Sequence, residues 1–183
     1  MKELAAGPLT RSGGLKVVEG KVKGDFFMPE KRYYIAYGSN LNMEQMRYRC
    51  PSARVIGTAE IPGYRLLFKG SKTGSYLTIE QAAGFSVPVG VWEVSPEDEY
   101  RLDRYEGYPN FYYKKEMTLP IKGIKTGKIR HRKVFVYIMH EERPVGIPSR
   151  FYLRGCADGY LSFGFDLDTL YEAFLYSKEE ATK

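Results

Sequence analysis

Between Arg32 and Met139 the chain is a succession of short apolar segments, each closed by glycine or proline, and this punctuation limits the folds open to it. The segments at 33–36, 55–60, 65–68, 76–80, 87–94, 112–119 and 133–139 have strand length and are rich in aliphatic and aromatic residues. One clear helix interrupts them. Ser95 is a natural N-cap, Pro96 suits the first turn, and Glu97, Asp98 and Glu99 suit the positive end of the helix dipole. Gly107 is its natural stop. A shorter helix follows the first strand. Asn42 can cap it, Gln45 stands at the capping-box position, Met43, Met46 and Cys50 share a face, and Pro51 ends it. A last amphipathic helix begins near Asp166 or Asp168, with Leu167, Leu170, Tyr171, Phe174 and Leu175 as its inner stripe. Many strands, few helices and no regular βαβ alternation predict an α+β fold, with a mixed, barrel-like β-sheet and a few flanking helices.

Residues 1–30 read as a lead-in without a sustained apolar period, with a short strand at 15–18 as its one element candidate. Residues 31–183 form the expected domain, long enough for a substantial core. Net charge is +6, which favours anionic partners. The basic stretch from Lys122 to Lys133, with Lys125, Lys128, Arg130 and Arg132, is interleaved with Gly123 and Gly127 and reads as a solvated hairpin. It would favour acidic substrates only if it lay beside the site. There is no stacking motif or continuous basic stripe, so nucleic acid is not the expected partner. No run is apolar enough to span a membrane, and oligomeric state leaves no trace in the sequence. Cys50 and Cys156 are far apart and in no ligand spacing, which suggests a reducing, cytoplasmic setting.

Two places could carry chemistry. Glu106 ends the Ser95-capped helix, and Leu102 lies one turn earlier on the same face. If Leu102 packs inward, so does Glu106. Burial and the negative end of the helix would then both raise its pKa, which makes a carboxylate a better general base. A solvated helix-end glutamate would leave the same local pattern. The second place is the loop Tyr37-Gly38-Ser39-Asn40-Leu41, which leaves a strand and enters a helix. Its N–H groups can point at an anion, Gly38 permits close backbone approach or a positive φ, and Ser39 and Asn40 add side-chain donors. An ordinary turn would use the same residues. P-loop, dinucleotide-binding and HExxH patterns are missing, His131 and His140 lack metal spacing, and Ser39 has no evident His–Asp partnership.

Tyr37-Gly38-Ser39-Asn40-Leu41 after a strand, with Leu102-Asp103-Arg104-Tyr105-Glu106-Gly107-Tyr108-Pro109 downstream, resembles the γ-glutamylcyclotransferase-like family. Pro148-Ser149-Arg150-Phe151-Tyr152 and then Gly159-Tyr160 are similar to its C-terminal segment, so the resemblance spans residues 32–165. The resemblance implies that fold, with the catalytic glutamate at Glu106 and the substrate-binding loop at Tyr37, Gly38, Ser39, Asn40 and Leu41. It implies site-lining tyrosines at Tyr112, Tyr137 and Tyr152; Tyr113 competes with Tyr112, because strand alternation turns only one of them to the site. It further implies cyclisation of a small-molecule γ-glutamyl substrate to 5-oxoproline, with no cofactor and no metal. The leaving group stays open between an amino acid, a lysine side chain and a larger amine. A non-catalytic binding module on the same fold is the alternative.

Overall fold

The computed structural model describes residues 31–71 and 74–183. The lead-in, with its strand candidate at 15–18, lies outside the described residues. Five strands form a closed barrel, β1 (Arg32–Ala36), β2 (Arg54–Ser71), β3 (Gly74–Val94), β4 (Tyr112–Gly123) and β5 (Ile129–Met139), in the order β1-β3-β2-β4-β5. Neighbours are antiparallel except where the barrel closes: there β1 lies parallel to β5, with Tyr34 opposite Phe135. Both strands at this seam are covered on both faces. Tyr34, Ile35 and Ala36 are buried in succession, as is every residue from Val134 to Met139. An unbroken apolar run is what a strand needs when neither face meets water.

The segments expected at 55–60 and 65–68 are one strand, and so are those at 76–80 and 87–94. The glycines and prolines between them bend the ladder without ending it. Register shifts at Pro62/Tyr64, with Gly63 at φ 74°, and residues 82–85 of β3 bulge across from it, with Gly84 at φ 84°. A bulge adds residues to one strand and sharpens its twist, which lets a long hairpin curl into a barrel wall.

The helices follow their caps. In α1 (Met43–Arg49) the Asn42 side chain accepts from the N–H groups of Glu44 and Gln45. Gln45 does not return the bond as a capping box requires; its carbonyl accepts from Arg49 instead. Helix α2 (Pro96–Glu106) has the full Ser95–Asp98 capping box, and Gly107 closes it in the left-handed region at φ 64°. Helix α3 (Arg150–Ser162), capped by Ser149, was not expected. Its two internal glycines weaken any local helix signal, and packing compensates, because Cys156, Gly159 and Tyr160 are buried. Helix α4 (Asp168–Glu180) keeps Leu170 and Phe174 of the expected stripe against the core, but its inward face is rotated from the rest of that stripe. Leu170, Ala173 and Ser177 are buried, whereas Tyr171 and Leu175 are exposed and Leu167 stands at the margin.

The basic stretch forms the outer ends of β4 and β5 and the turn between them. Lys122, Lys125, Lys128, Arg130 and Lys133 are exposed, and Arg132 lies over the Tyr33 ring. Roughly 26 Å of extended strand, at about 3.3 Å per residue, separates Ile129 from Tyr137 at the opposite end. The hairpin therefore does not border the cavity described next. Among the described residues no helix is long and apolar enough to cross a membrane.

Candidate active site

At the end of β1 the chain turns through Tyr37 and Gly38 into a single 3-10 turn, Ser39–Leu41. Leu41 donates its N–H to the Gly38 carbonyl (2.9 Å) and buries its side chain completely. It anchors the loop from below and does not line the cavity. Among the described residues, the N–H groups of Ser39 and Asn40 have no backbone hydrogen-bond partner. Gly38 has φ −124°, so left-handed backbone is not what this position requires. Its value is space. A Cβ there would lie 3.4 Å from both Leu77 Cβ and the Tyr152 hydroxyl.

The loop forms one wall of a small, partly open cavity. Four strands and two helices contribute to it: Tyr34 from β1, Leu77 from β3, Glu106 from α2, Tyr112 from β4, Tyr137 from β5 and Tyr152 from α3, together with Tyr37, Gly38, Ser39 and Asn40. The choice between the neighbouring tyrosines is resolved by pleat. Tyr112 is buried in this wall, whereas Tyr113 faces the other way and donates to Glu141 (2.6 Å).

Glu106 closes the cavity from the last turn of α2. Leu102, one turn earlier, is fully buried, so the shared face points inward. Glu106 Oε1 accepts from Asn40 Nδ2 (2.8 Å), and the same amide nitrogen donates to the Tyr34 hydroxyl (2.8 Å). Burial pushes the Glu106 carboxyl up to about 7, against the opposing pull of the Arg49 charge and the Asn40 hydrogen bond. A carboxylate with that proton affinity can both take and return a proton near neutral pH.

The tyrosines are held rigidly. Tyr37 donates to the Tyr137 carbonyl (2.6 Å) and Tyr112 to the Leu77 carbonyl (2.9 Å), while Tyr152 accepts from the Leu77 N–H (3.1 Å). Tyr137 donates to Asp103 Oδ1 (2.7 Å), which also receives Lys114 (2.7 Å). Burial pushes the hydroxyls of Tyr34, Tyr37, Tyr112, Tyr137 and Tyr152 well up from the ordinary phenol range. They stay neutral hydrogen-bonding groups at any pH the protein meets. Of the other carboxylates, Asp103 is occupied by Tyr137 and Lys114, and Glu80 pairs with Lys69 beside Tyr64 and Tyr113, outside this cavity. His140 lies 2.8 Å from the Pro109 carbonyl, and His131 is exposed.

Of the residues singled out by sequence, the cavity brings together Glu106, Tyr37, Gly38, Ser39, Asn40, Tyr112, Tyr137 and Tyr152, and it leaves out Leu41. Sequence reasoning missed Tyr34 and Leu77 as lining residues. Tyr34 carried a weak signal as half of a Tyr-Tyr pair in a strand; Leu77 carried none, because only the β2–β3 hairpin places it opposite the loop.

Residues 34–154 match the family described as gamma-glutamyl cyclotransferase, AIG2-like. The gamma-glutamylcyclotransferase of Homo sapiens is 33% identical over 109 residues, covering 56% of this chain and 55% of that protein. That of Bos taurus is 34% identical over 91 residues, covering 46% and 48%. The chain thus spans about half the length of the curated relatives it matches. Among solved structures, one described as gamma-glutamyl cyclotransferase superposes with a TM-score of 0.67 at 25% identity, covering 83% of this chain and 87% of that one. YkqA from Bacillus subtilis shares the fold, with a TM-score of 0.66 at 16% identity, over 82% of this chain and 55% of that one.

Proposed function

The chain belongs to the gamma-glutamyl cyclotransferase, AIG2-like family, and from that premise we propose that it cyclises a γ-glutamyl group to 5-oxoproline, with Glu106 as the proton-transfer residue. The observation that carries this reading is a carboxyl with a pKa of about 7, open to a tyrosine-walled cavity and hydrogen-bonded to the loop. In this reaction the substrate's α-nitrogen attacks its own γ-carbonyl carbon, so the enzyme need not supply a nucleophile. Ionised Glu106 takes one proton from the α-ammonium, which frees the lone pair that forms the new C–N bond, and gives it to the departing nitrogen as the old amide C–N bond breaks. The second proton that the ring nitrogen must lose to become a lactam N–H passes through the same carboxylate to the released amine, which leaves as its ammonium, so the proton count closes within one turnover. The attack is intramolecular from the outset, so no translational freedom is lost in it, and holding the curled conformer freezes only the bond rotations between the nitrogen and the γ-carbonyl.

The N–H groups of Ser39 and Asn40 suit the substrate's α-carboxylate or the oxygen of the tetrahedral intermediate. The neutral tyrosines wall the pocket and orient polar groups without adding charge. Cys50 and Cys156 are buried and not joined, which suits a reducing compartment, and we place the enzyme in the cytoplasm.

A panel of γ-glutamyl amino acids, γ-glutamyl-ε-lysine and γ-glutamyl amines, assayed for 5-oxoproline, tests the reading and ranks the leaving groups. At least one class should turn over; release from none of them would sink the proposal. The loop has its own test. Alanine at Gly38 meets Leu77 and Tyr152 only at ordinary van der Waals distance, so Gly38→Ala should retain most activity. The γ-methyls of valine reach further into the cavity. Gly38→Val should bind an inert γ-glutamyl analogue at least about tenfold more weakly, roughly 1.4 kcal/mol, with the fold intact. Undiminished affinity by calorimetry would remove the loop from substrate binding.

A further inference from the structure

Arg49 ends α1 and lies behind the loop, outside the set of residues that line the cavity. Its Nη1 donates to Asn40 Oδ1 (2.5 Å) and Ser39 Oγ (3.2 Å), and its Nη2 donates to Gln45 Oε1 one turn earlier (2.6 Å). The guanidinium carbon sits 3.8 Å from the ring centroid of Tyr105, the residue before Glu106. One side chain thus ties α1, the loop and the end of α2 together.

The chemistry of the two partners fixes a direction. A guanidinium can only donate, so Asn40 must turn its oxygen toward Arg49. Its amide nitrogen then faces the other way, toward Glu106 Oε1 and the Tyr34 hydroxyl. The flipped amide would set NH₂ against the guanidinium and oxygen against the carboxylate, two repulsive contacts in place of two hydrogen bonds. We infer that Arg49 is a positioning residue for proton transfer: it locks the Asn40 amide toward Glu106 and serves as the counter-charge for that carboxylate. The inference rests on Glu106 being the group that moves the proton.

Among the described residues, no other charge competes for this role in the immediate surroundings of Glu106. Tyr34 from β1, Tyr37 ahead of the loop, Tyr112 from β4, Tyr137 from β5, Tyr152 from α3 and the Cys50 thiol all face it as neutral groups. Asp103, on its own helix, is satisfied by Tyr137 and Lys114. Loss of the Arg49 charge therefore leaves burial opposed only by the Asn40 hydrogen bond, and Glu106 should hold its proton to higher pH.

The test follows the Glu106 side-chain carboxyl by carbon-13 NMR, its resonance assigned by its loss in Glu106→Gln, alongside the pH dependence of kcat/KM. In Arg49→Met the titration should move up by about one pH unit, and the acid limb of kcat/KM should move with it. Arg49→Lys keeps the charge and loses the fork. Its titration should stay near wild type while kcat falls about tenfold, because a single ammonium cannot hold Asn40, Ser39 and Gln45 together as the fork does. If Arg49→Met does not fold, Arg49→Gln gives the same comparison. A folded, uncharged variant whose Glu106 titrates as in wild type would overturn the inference, and would leave the Glu106 assignment standing if the wild-type limb matches the NMR titration. A wild-type limb that does not match it would overturn the functional reading instead.

Discussion

Replacing Glu106 by glutamine should lower 5-oxoproline release by at least about a hundred- to ten-thousand-fold, the usual contribution of a general acid–base group. Glutamine keeps the length of the side chain and an oxygen that can accept from Asn40, so the loop and the tyrosine wall should survive. What it cannot do is accept a proton near neutral pH. Substrate should still bind, because recognition is assigned to Ser39, Asn40 and the tyrosines. Glu106→Asp should recover little, because a carboxylate one methylene short misses the reacting nitrogen by more than proton transfer tolerates.

Stability should move in the opposite direction. The folded protein holds the Glu106 proton up to about pH 7, whereas an unfolded glutamate releases it near 4.3. A raised carboxyl pKa means that the folded state binds the proton more tightly. Its contribution to stability is therefore fully present below the unfolded value and is lost as pH rises through about 7. Wild type should be less stable than Glu106→Gln at pH 8, by about 1–3 kcal/mol, with the difference shrinking toward pH 4. Melting curves of both proteins across that range provide the check. A folded Glu106→Gln enzyme turning over within a few-fold of wild type would remove Glu106 from the mechanism.

The second large effect is expected at Gly159, where α3 meets the loop from behind. A Cβ there would lie 2.7 Å from Leu41 Cβ, 2.8 Å from the Asn42 nitrogen and 2.9 Å from the Leu41 carbonyl carbon. Two of those atoms are backbone, so the helix or the 3-10 turn must move. In an exposed helix interior, alanine is favoured over glycine by about 1 kcal/mol. Here overpacking of about 1–3 kcal/mol should outweigh that gain, and Gly159→Ala should melt lower than wild type. Gly155, one turn earlier in the same helix, is the control. Its Cβ would meet one side-chain atom and no backbone, the Gln45 amide nitrogen at 3.0 Å, so Gly155→Ala should melt closer to wild type than Gly159→Ala does. Because Leu41 is the buried foot of the loop, Gly159→Ala should also raise KM, and Gly155→Ala should not. Equal melting temperatures for the two variants would show that α3 does not hold the loop in place.

These two glycines also mark how far the sequence could be read. They look alike within α3, and only what lies across from each distinguishes them. Helix α2 was legible because its determinants are local: the capping box joins Ser95 to Asp98, the stop is Gly107, and Leu102 shares a face with Glu106 one turn away. The loop after β1 was legible for the same reason, since a strand, a glycine and an N-capping asparagine fall within a few residues. The strands at 55–60 and 65–68 were read as separate because glycine and proline end a strand in most local contexts. Here the ladder with β3 continues past them as a bulge.

Other features required the closed barrel. Tyr37 donates to the carbonyl of Tyr137, one hundred positions away, because β1 closes onto β5. The pleat of β4 against β5 turned Tyr112 inward and Tyr113 outward. The tyrosine wall packed around Glu106 raised its proton affinity, and α1 returning beside α2 brought Arg49 to Asn40 and Tyr105. By itself the sequence determined the α+β class, the capped helix with Glu106 at its end, and the Gly38 turn, because each follows from hydrogen bonds and side-chain spacing within a turn or two of chain. Only the tertiary structure decided which side chains share the cavity and how strongly its carboxyl holds a proton, because burial and long-range pairing are properties of the closed barrel and of no single segment.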